Sequence, residues 1–254
     1  VSLLTVTVRH GFDALVIDSP RNRNALSVEL LHRLVDAVRD SAEGSSRGLV
    51  VTHEGPAFCS GVDLKERRAD TSGSAHSVLL GELLCELWSY PRPVVTAVDG
   101  AVRGGGLGLL ACSDLVLASP ASTFAYSEAR VGVAPALVLA VTRPQLAVRL
   151  LVPHLLSGTA FGAAEAAALG LVTTVTPGPS GDVLDAALRE LAQGGPRAQT
   201  VIKRLVRQWA EPELPGRVEE MQALSADLFA SAEAAEGMAA FAERRPPAWV
   251  DDLR

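Results

Sequence analysis

Three consecutive glycines, Gly104-Gly105-Gly106, stand between a β-branched run, Val94 to Val98, and an apolar stretch, Leu107 to Cys112. A strand that leaves into glycines and re-enters as a helix has unpaired N–H groups at the helix N-terminus, which can face an anionic oxygen. A second loop of the same character lies upstream, Phe58-Cys59-Ser60-Gly61-Val62-Asp63-Leu64-Lys65-Glu66. Two strand-exit loops converging on one carbonyl oxygen form a main-chain oxyanion hole. Such a hole suits the enolate that arises when a thioester is attacked at its conjugated double bond or deprotonated. The run Gly100 to Gly108 does not read as a dinucleotide loop: it lacks Gly-x-Gly-x-x-Gly, and the next strand ends at Ala118-Ser119 without an acid for ribose.

The flanking pattern is one of alternating strands and helices. Val6 to Arg9 and Ala14 to Asp18 read as a hairpin around His10 to Asp13. Ser27 is an N-cap for a helix to about Glu43, with Leu30, Leu31, Leu34, Val35 and Val38 at helical spacing. Gly48 to Thr52 and Leu115 to Ala118 read as strands, Glu54 to Gly61 as a turn, Arg67 to Ala75 as a polar mobile loop, and His76 to Tyr90 as a helix. From Gln145 the chain reads almost wholly helical: Gln145 to Leu156, Gly162 to Ala168, Gly181 to Gln193, Pro196 to Ala210, and Arg217 to Phe241 in one or two pieces. A soft boundary at Gly194 to Pro196 divides an α/β core, residues 1–195, from a helical region, residues 196–254.

Composition removes several classes of function. The 254 residues are 48% hydrophobic and 20% charged, with a net charge of −6, which argues against broad nucleic-acid binding. The longest apolar stretch, Val131 to Val152, is broken by Pro135, Arg143, Pro144 and Arg149, so no membrane span is expected. The first eight residues lack a secretory pattern, and Cys59, Cys85 and Cys112 suit reduced thiols, so a cytoplasmic location is expected. There is no Gly-x-Ser-x-Gly, Gly-Lys-Ser/Thr, His-Glu-x-x-His or Cys-x-x-Cys, and the five histidines are scattered, so no metal site is expected.

The chain resembles the enoyl-CoA hydratase/isomerase (crotonase) family. The resemblance rests on Asn24-Ala25-Leu26, the Phe58 to Glu66 loop, the glycine triplet with Cys112-Ser113-Asp114, and Phe124 to Pro135. Gly158, the Ala164 to Val172 segment and Glu236 to Pro246 follow in the family's order. The resemblance implies an α/β spiral of ββα units with a helical C-terminal region that mediates trimers, often paired into hexamers. It implies an acyl-CoA substrate with no separate cofactor, and a place in fatty acid metabolism. The oxyanion N–H groups carry over to Val62 and Gly105. Coenzyme A contacts carry over to Arg21, Ala25, Ser60, Asp63 and Leu64, and to Phe241 and Arg244 as a pair that reaches a neighbouring subunit's CoA.

Family hydratases typically use two glutamates. The second is kept as Glu128, within Tyr126-Ser127-Glu128-Ala129-Arg130, whereas the first position, three residues beyond Gly105, is Gly108. Two carboxylates can hold the attacking water between them, while a lone Glu128 must take a proton and return it in turn. The resulting expectation is an enoyl-CoA hydratase with Glu128 as the single general acid/base. The alternatives are a Δ3,Δ2-enoyl-CoA isomerase, which needs one glutamate, and a catalytically silent member that binds an acyl-CoA or a protein. Asp70, in the polar loop, is a candidate to replace the missing acid. Arg130 reads either as an exposed loop charge or as a partner for a second carboxylate on the acyl group. Pro135-Ala136-Leu137-Val138 departs from the family's Gly-rich continuation and predicts a reshaped acyl pocket.

Overall fold

His10 and Gly11 both take positive φ, 51° and 82°, and turn β1 (Leu4–Arg9) into antiparallel β2 (Phe12–Ile17). A two-residue turn of that hand follows the natural twist of paired strands. This computed structural model describes residues 3–69, 75–142, 146–210 and 213–251. After a 3-10 turn at Pro20–Asn22, α1 (Val28–Glu43) begins on Ser27, whose hydroxyl accepts from the Leu30 amide at 3.2 Å. The predicted stripe of Leu30, Leu31, Leu34, Val35 and Val38 is its buried face.

Three strand-strand-helix passes follow. The first is β3 (Leu49–His53), β4 (Ala57–Cys59), α2 (Leu64–Ala69) and α3 (Ala75–Ser89), and the second is β5 (Val94–Val98), β6 (Ala101–Arg103) and α4 (Gly105–Cys112). The third is β7 (Leu115–Ala118), β8 (Thr123–Ala125), a 3-10 turn at Ser127–Val131 and α5 (Ala136–Thr142). The chain then runs through α6 (Val148–Ser157), β9 (Phe161–Gly162), α7 (Ala163–Ala168), β10 (Thr174–Val175) and α8 (Gly181–Leu191). It continues as α9 (Pro196–Ala210), α10 (Leu214–Phe229), α11 (Ala232–Glu243) and α12 (Ala248–Asp251).

In each pass the longer strand joins one sheet, ordered β1-β2-β3-β5-β7-β10, and the shorter joins a second, ordered β4-β6-β8-β9. Pairing is parallel except for β1 with β2 and β8 with β9. The second sheet is absent from the sequence reading, which places β4 within a turn, starts a helix at Gly162 of β9 and assigns no strand to β6 or β8. Strands of two or three residues are too short to show a period. The apolar run from Val131 likewise hid α5, and the polar stretch from Arg67 proves helical through Ala69, within α2. Residues 70–74, including Asp70, lie outside the described residues.

Helix α3 is apolar on most sides, with Leu79, Leu80, Leu83, Leu84, Leu87 and Trp88 buried, because it lies between other helices: it packs on α1, α4, α5 and α10. The C-terminal helices are fastened to this core. Leu214 and Val218 of α10 belong to the main apolar cluster, and from α9 Lys203 and Arg207 reach Asp114 at 2.6 and 3.1 Å.

One buried side chain ties the start of the chain to the second sheet. Asn24, 1% exposed and at φ 57°, accepts from the Ser19 amide at 2.7 Å and donates to the carbonyls of Glu54 at 3.0 Å and Ala57 at 2.6 Å. Asn24→Ala strands three backbone groups, each costing roughly 1–3 kcal/mol when left unsatisfied. We expect it to lower unfolding free energy by about 2–4 kcal/mol, read as a lower urea midpoint with the slope unchanged.

Candidate active site

Two residues beyond Asn24, the Leu26 amide donates to Gly61 O at 2.8 Å and the Leu26 carbonyl accepts from Asp63 N at 3.3 Å, a parallel bridge between Leu26 and Val62. Asp63 Oδ1 then accepts from the amides of Lys65 and Glu66 at 3.0 and 3.4 Å, starting α2. From the other side Gly104 adopts φ 51° and ψ −123°, a conformation open to glycine alone, and aims the chain into α4. Among the described residues, neither the Val62 amide nor the Gly105 amide donates a backbone hydrogen bond. Gly105 is the first residue of α4, so the partial positive charge of the helix end adds to its amide.

Glu128 sits in the 3-10 turn after β8, opposite these loops. A Cβ on Gly104 would lie 3.3 Å from Glu128 Oε1 and 3.5 Å from Gly61 Cα, so the carboxylate, the triplet and the upstream loop meet at one place. Glu128 Oε2 is sealed from solvent and, among the described residues, has no hydrogen-bond partner. Burial without a compensating cation pushes the carboxyl up to about 7.

Two cavities join at this point and share Val62, Gly105, Glu128 and Phe229. The outer one, about 550 Å³, is lined by Arg23, Ser60, Arg103, Arg130 and Phe241 among others. The inner one, about 40 Å³, is closed by Arg67, His76, Ser77, Ser225 and the segment Pro135 to Val138. The departure at Pro135 to Val138 therefore does shape the inner wall.

Of the residues expected to contact CoA, Ser60, Leu64 and Phe241 line the outer cavity. Arg21 is exposed in the 3-10 turn and does not line it, whereas Arg23, also exposed and at a left-handed φ of 56°, does. Ala25 is buried beside the Asn24 anchor, and Asp63 serves as a cap that also accepts from Asn22 Nδ2 at 3.2 Å. Arg244 is exposed at the C-terminal cap of α11, outside the cavity. Phe241, 66% exposed, lies at the edge of the cavity of its own chain. Arg130 is exposed, its Nε donates to the Ser157 carbonyl at 3.0 Å, and it lines the outer cavity and not the inner one.

Arg23, Arg103, Arg67 and His76 escaped the sequence reading. Arg103 directly precedes the glycine triplet, and that adjacency was a usable signal. Arg67 lay in a stretch read as loop. Gly108 lies inside α4, where a Cβ would come within 2.9 Å of Leu84 Cδ2, so leucine occupies the space of the absent acid.

The enoyl-CoA hydratase/isomerase family model matches residues 10–252. A Rhodobacter capsulatus protein named "probable enoyl-CoA hydratase" is 31% identical, over 94% of this chain and 95% of its own length. An enoyl-CoA isomerase/hydratase of Mycosarcoma maydis is 30% identical, over 93% and 92%. The crystal structure of an enoyl-CoA hydratase from Mycobacterium avium superposes with a TM-score of 0.88 at 32% identity, covering 98% of this chain and 99% of that one. The chain belongs to the enoyl-CoA hydratase/isomerase family and has the crotonase fold. Among the described residues, no helix is long and apolar enough to cross a membrane.

The Glu128 environment has a measurable thermodynamic signature. A carboxyl raised from its ordinary 4.5 to about 7 favours the folded state fully below pH 4.5, and that contribution is lost as pH rises through 7. Above pH 7 the ionised, buried group costs on the order of 3 kcal/mol. Glu128→Gln removes that cost. In urea titrations it should gain on the parent protein by up to about 3 kcal/mol at pH 8, with the gap closing towards pH 5. An equal difference at both pH values would refute the assigned environment.

Proposed function

We propose that this chain is an acyl-CoA enzyme that hydrates a 2-enoyl-CoA through a thioester enolate, with Glu128 as the single acid/base. The observation that carries the proposal is a buried carboxyl raised to about 7 beside two amides, of Val62 and Gly105, that have no backbone acceptor among the described residues. In that reading the thioester oxygen lies between the two amides, whose bonds strengthen as negative charge develops on it. Glu128 takes a proton from water as oxygen adds to Cβ, then returns it to Cα, and a group titrating near 7 is available in both forms at neutral pH. Arg23, Arg103 and Arg130 along the outer cavity supply positive charge for the phosphates and polar arm of CoA. The hydratase names of the relatives support the same reading.

A second reading, migration of a double bond between Δ3 and Δ2, is favoured by one specific observation. The position of the missing acid faces Leu84, so no second carboxylate from α4 helps to hold water. A lone glutamate that shuttles a proton between two carbons needs no such water.

Incubation with 2-enoyl- and 3-enoyl-CoA panels, with product identification, separates the two: a 3-hydroxyacyl product supports hydration and a moved double bond supports isomerisation. Glu128→Gln should lower kcat by about 10²–10⁴ while CoA-ester binding persists. The parent kcat/KM should rise with pH through a value near 7. Saturable binding without turnover of any enoyl thioester would leave the silent-binder alternative. Gly108→Glu combined with Leu84→Ala, which clears the blocking methyl groups, should shift products towards hydration; an unchanged ratio would remove residue 108 from the argument.

Homotrimers or paired trimers belong to the same proposal, with a cytosolic setting for three free thiols. Exposed Leu150 and Leu156 on α6 support assembly. Because α10 contributes Leu214 and Val218 to the core, a chain cut after Gly194 would test folding rather than assembly. Light scattering on the whole chain is the direct measurement.

A further inference from the structure

Strands β6 and β8 end on the two sides of the candidate active site. β6 runs into Gly104 and Gly105, and β8 runs through Tyr126 into the turn that carries Glu128. Each strand has only three residues, so their ladder supplies few hydrogen bonds to fix one against the other. The register pairs Arg103 with Ala125, and the Gly104 amide donates to the Ala125 carbonyl at 3.2 Å. Arg103 adds side-chain bonds across the same gap. Its Nη1 donates to the Val102 carbonyl at 2.9 Å and to the Thr123 carbonyl at 2.7 Å, and its Nη2 donates to Thr123 Oγ1 at 3.0 Å. One rigid guanidinium plane thus holds its own strand and β8 together.

This is a costly place for a cation. Burial, and then the nearby charge of Arg23, disfavour the charged guanidinium of Arg103. Among the described residues no carboxylate forms an ion pair with it, so two carbonyls and a hydroxyl do the compensating. The clamp also stands close to the chemistry. Arg103 lies two residues before Gly105 and Thr123 five before Glu128, and a Cβ on the intervening Gly104 would lie 3.3 Å from Glu128 Oε1. Reacting groups need to be held within about 0.5 Å of their productive geometry, and a misplacement of about 1 Å can cost about 10²-fold in rate.

We infer that Arg103 is a positioning residue, whose guanidinium, by tying β6 to β8, sets the separation between the Gly105 amide and the Glu128 carboxylate. The inference rests on the proposed function for what those two groups do to a thioester. It gives Arg103 a task distinct from lending positive charge to the outer cavity, because both Nη nitrogens are engaged within the two strands.

Arg103→Met, Arg103→Lys and Thr123→Val are compared with the parent on the best enoyl-CoA of the panel and on the N-acetylcysteamine thioester of the same acyl group, which has no phosphates. Arg103→Met should lower kcat by about tenfold or more on both substrates, with KM for the truncated thioester nearly unchanged. Arg103→Lys, which keeps the charge and loses the fork, should recover little of that loss. Thr123→Val, which removes the hydroxyl and leaves the carbonyl, should lose less. An unchanged kcat in Arg103→Met overturns the inference. So does a loss confined to the CoA ester and carried by KM, which would make Arg103 a coenzyme A contact. A second readout needs no turnover. The gain in urea stability of Glu128→Gln at pH 8 over that at pH 5 reports how buried the carboxyl is. In an Arg103→Met background that difference should shrink, because a freed turn admits water to Glu128; an unchanged difference also overturns the inference. A parent protein that turns over no enoyl thioester yet shows the shrinking difference defeats the proposed catalysis and leaves Arg103 as the residue that places Glu128.

Discussion

The placement of the reactive loop depends on the buried amide of Asn24. With one oxygen and one NH₂ it joins the turn at Ser19 to the corner between β3 and β4, at Glu54 and Ala57, 30 and 33 residues further along the chain from Asn24. Each bond contributes only about 1 kcal/mol net, but each group left unpaired in the interior costs more than that, so the arrangement is all or none. Leu26 inherits its position from Asn24, and Val62 is held beside Leu26 by the bridge to Gly61 and Asp63. A side chain that touches no cavity therefore sets where one candidate oxyanion donor stands.

Glu128 and Asp63 show how environment divides similar groups. Asp63 receives two amides and the Asn22 side chain and acts as a structural cap. Glu128 Oε2 receives none, and desolvation raises its carboxyl to about 7. A guanidinium in contact with Glu128 would have reversed this, because an adjacent cation commonly lowers a carboxyl by one to three pH units and keeps it ionised. Arg23, Arg103 and Arg130 line the same outer cavity, yet burial remains the dominant influence on Glu128. Arg103 and Arg130 are occupied with carbonyls, of Val102 and Thr123 for the first and of Ser157 for the second. Positive charge thus stands along the outer cavity without holding Glu128 in its ionised form.

The hairpin, α1, β5, β7 and the glycine turn into α4 could be read from the sequence because each is decided locally, by alternation, by capping at Ser27, or by a backbone angle open to glycine. The second sheet could not, since β4, β6, β8 and β9 exist through pairing with one another. The same division holds at the site. Val62, Gly105 and Glu128 were legible through the motif that contains them, and they do share both cavities. The resemblance points to Arg21, whereas Arg23, two residues on, is the arginine that lines the outer cavity. Arg67 was hidden by a polar neighbourhood that reads as loop, although residues Leu64–Ala69 form a helix.

Helix α3 links the two departures of this chain from the family's pattern. His76, Leu80 and Leu84 follow one another at intervals of four and so share one stripe of the helix. His76 and Leu80 line the inner cavity, with Ser77 alongside, whereas Leu80 packs near Gly105 and Leu84 fills the space beside Gly108. Along this single stripe the surface passes from polar at His76, in the inner cavity, to apolar at Leu84, beside Gly108. A glutamate at residue 108 would have to displace Leu84, a fully buried residue, so the missing acid and the leucine that occupies its space form one packing solution. Glu128 is then the carboxylate beside the two loop amides, and α4 offers no second one there.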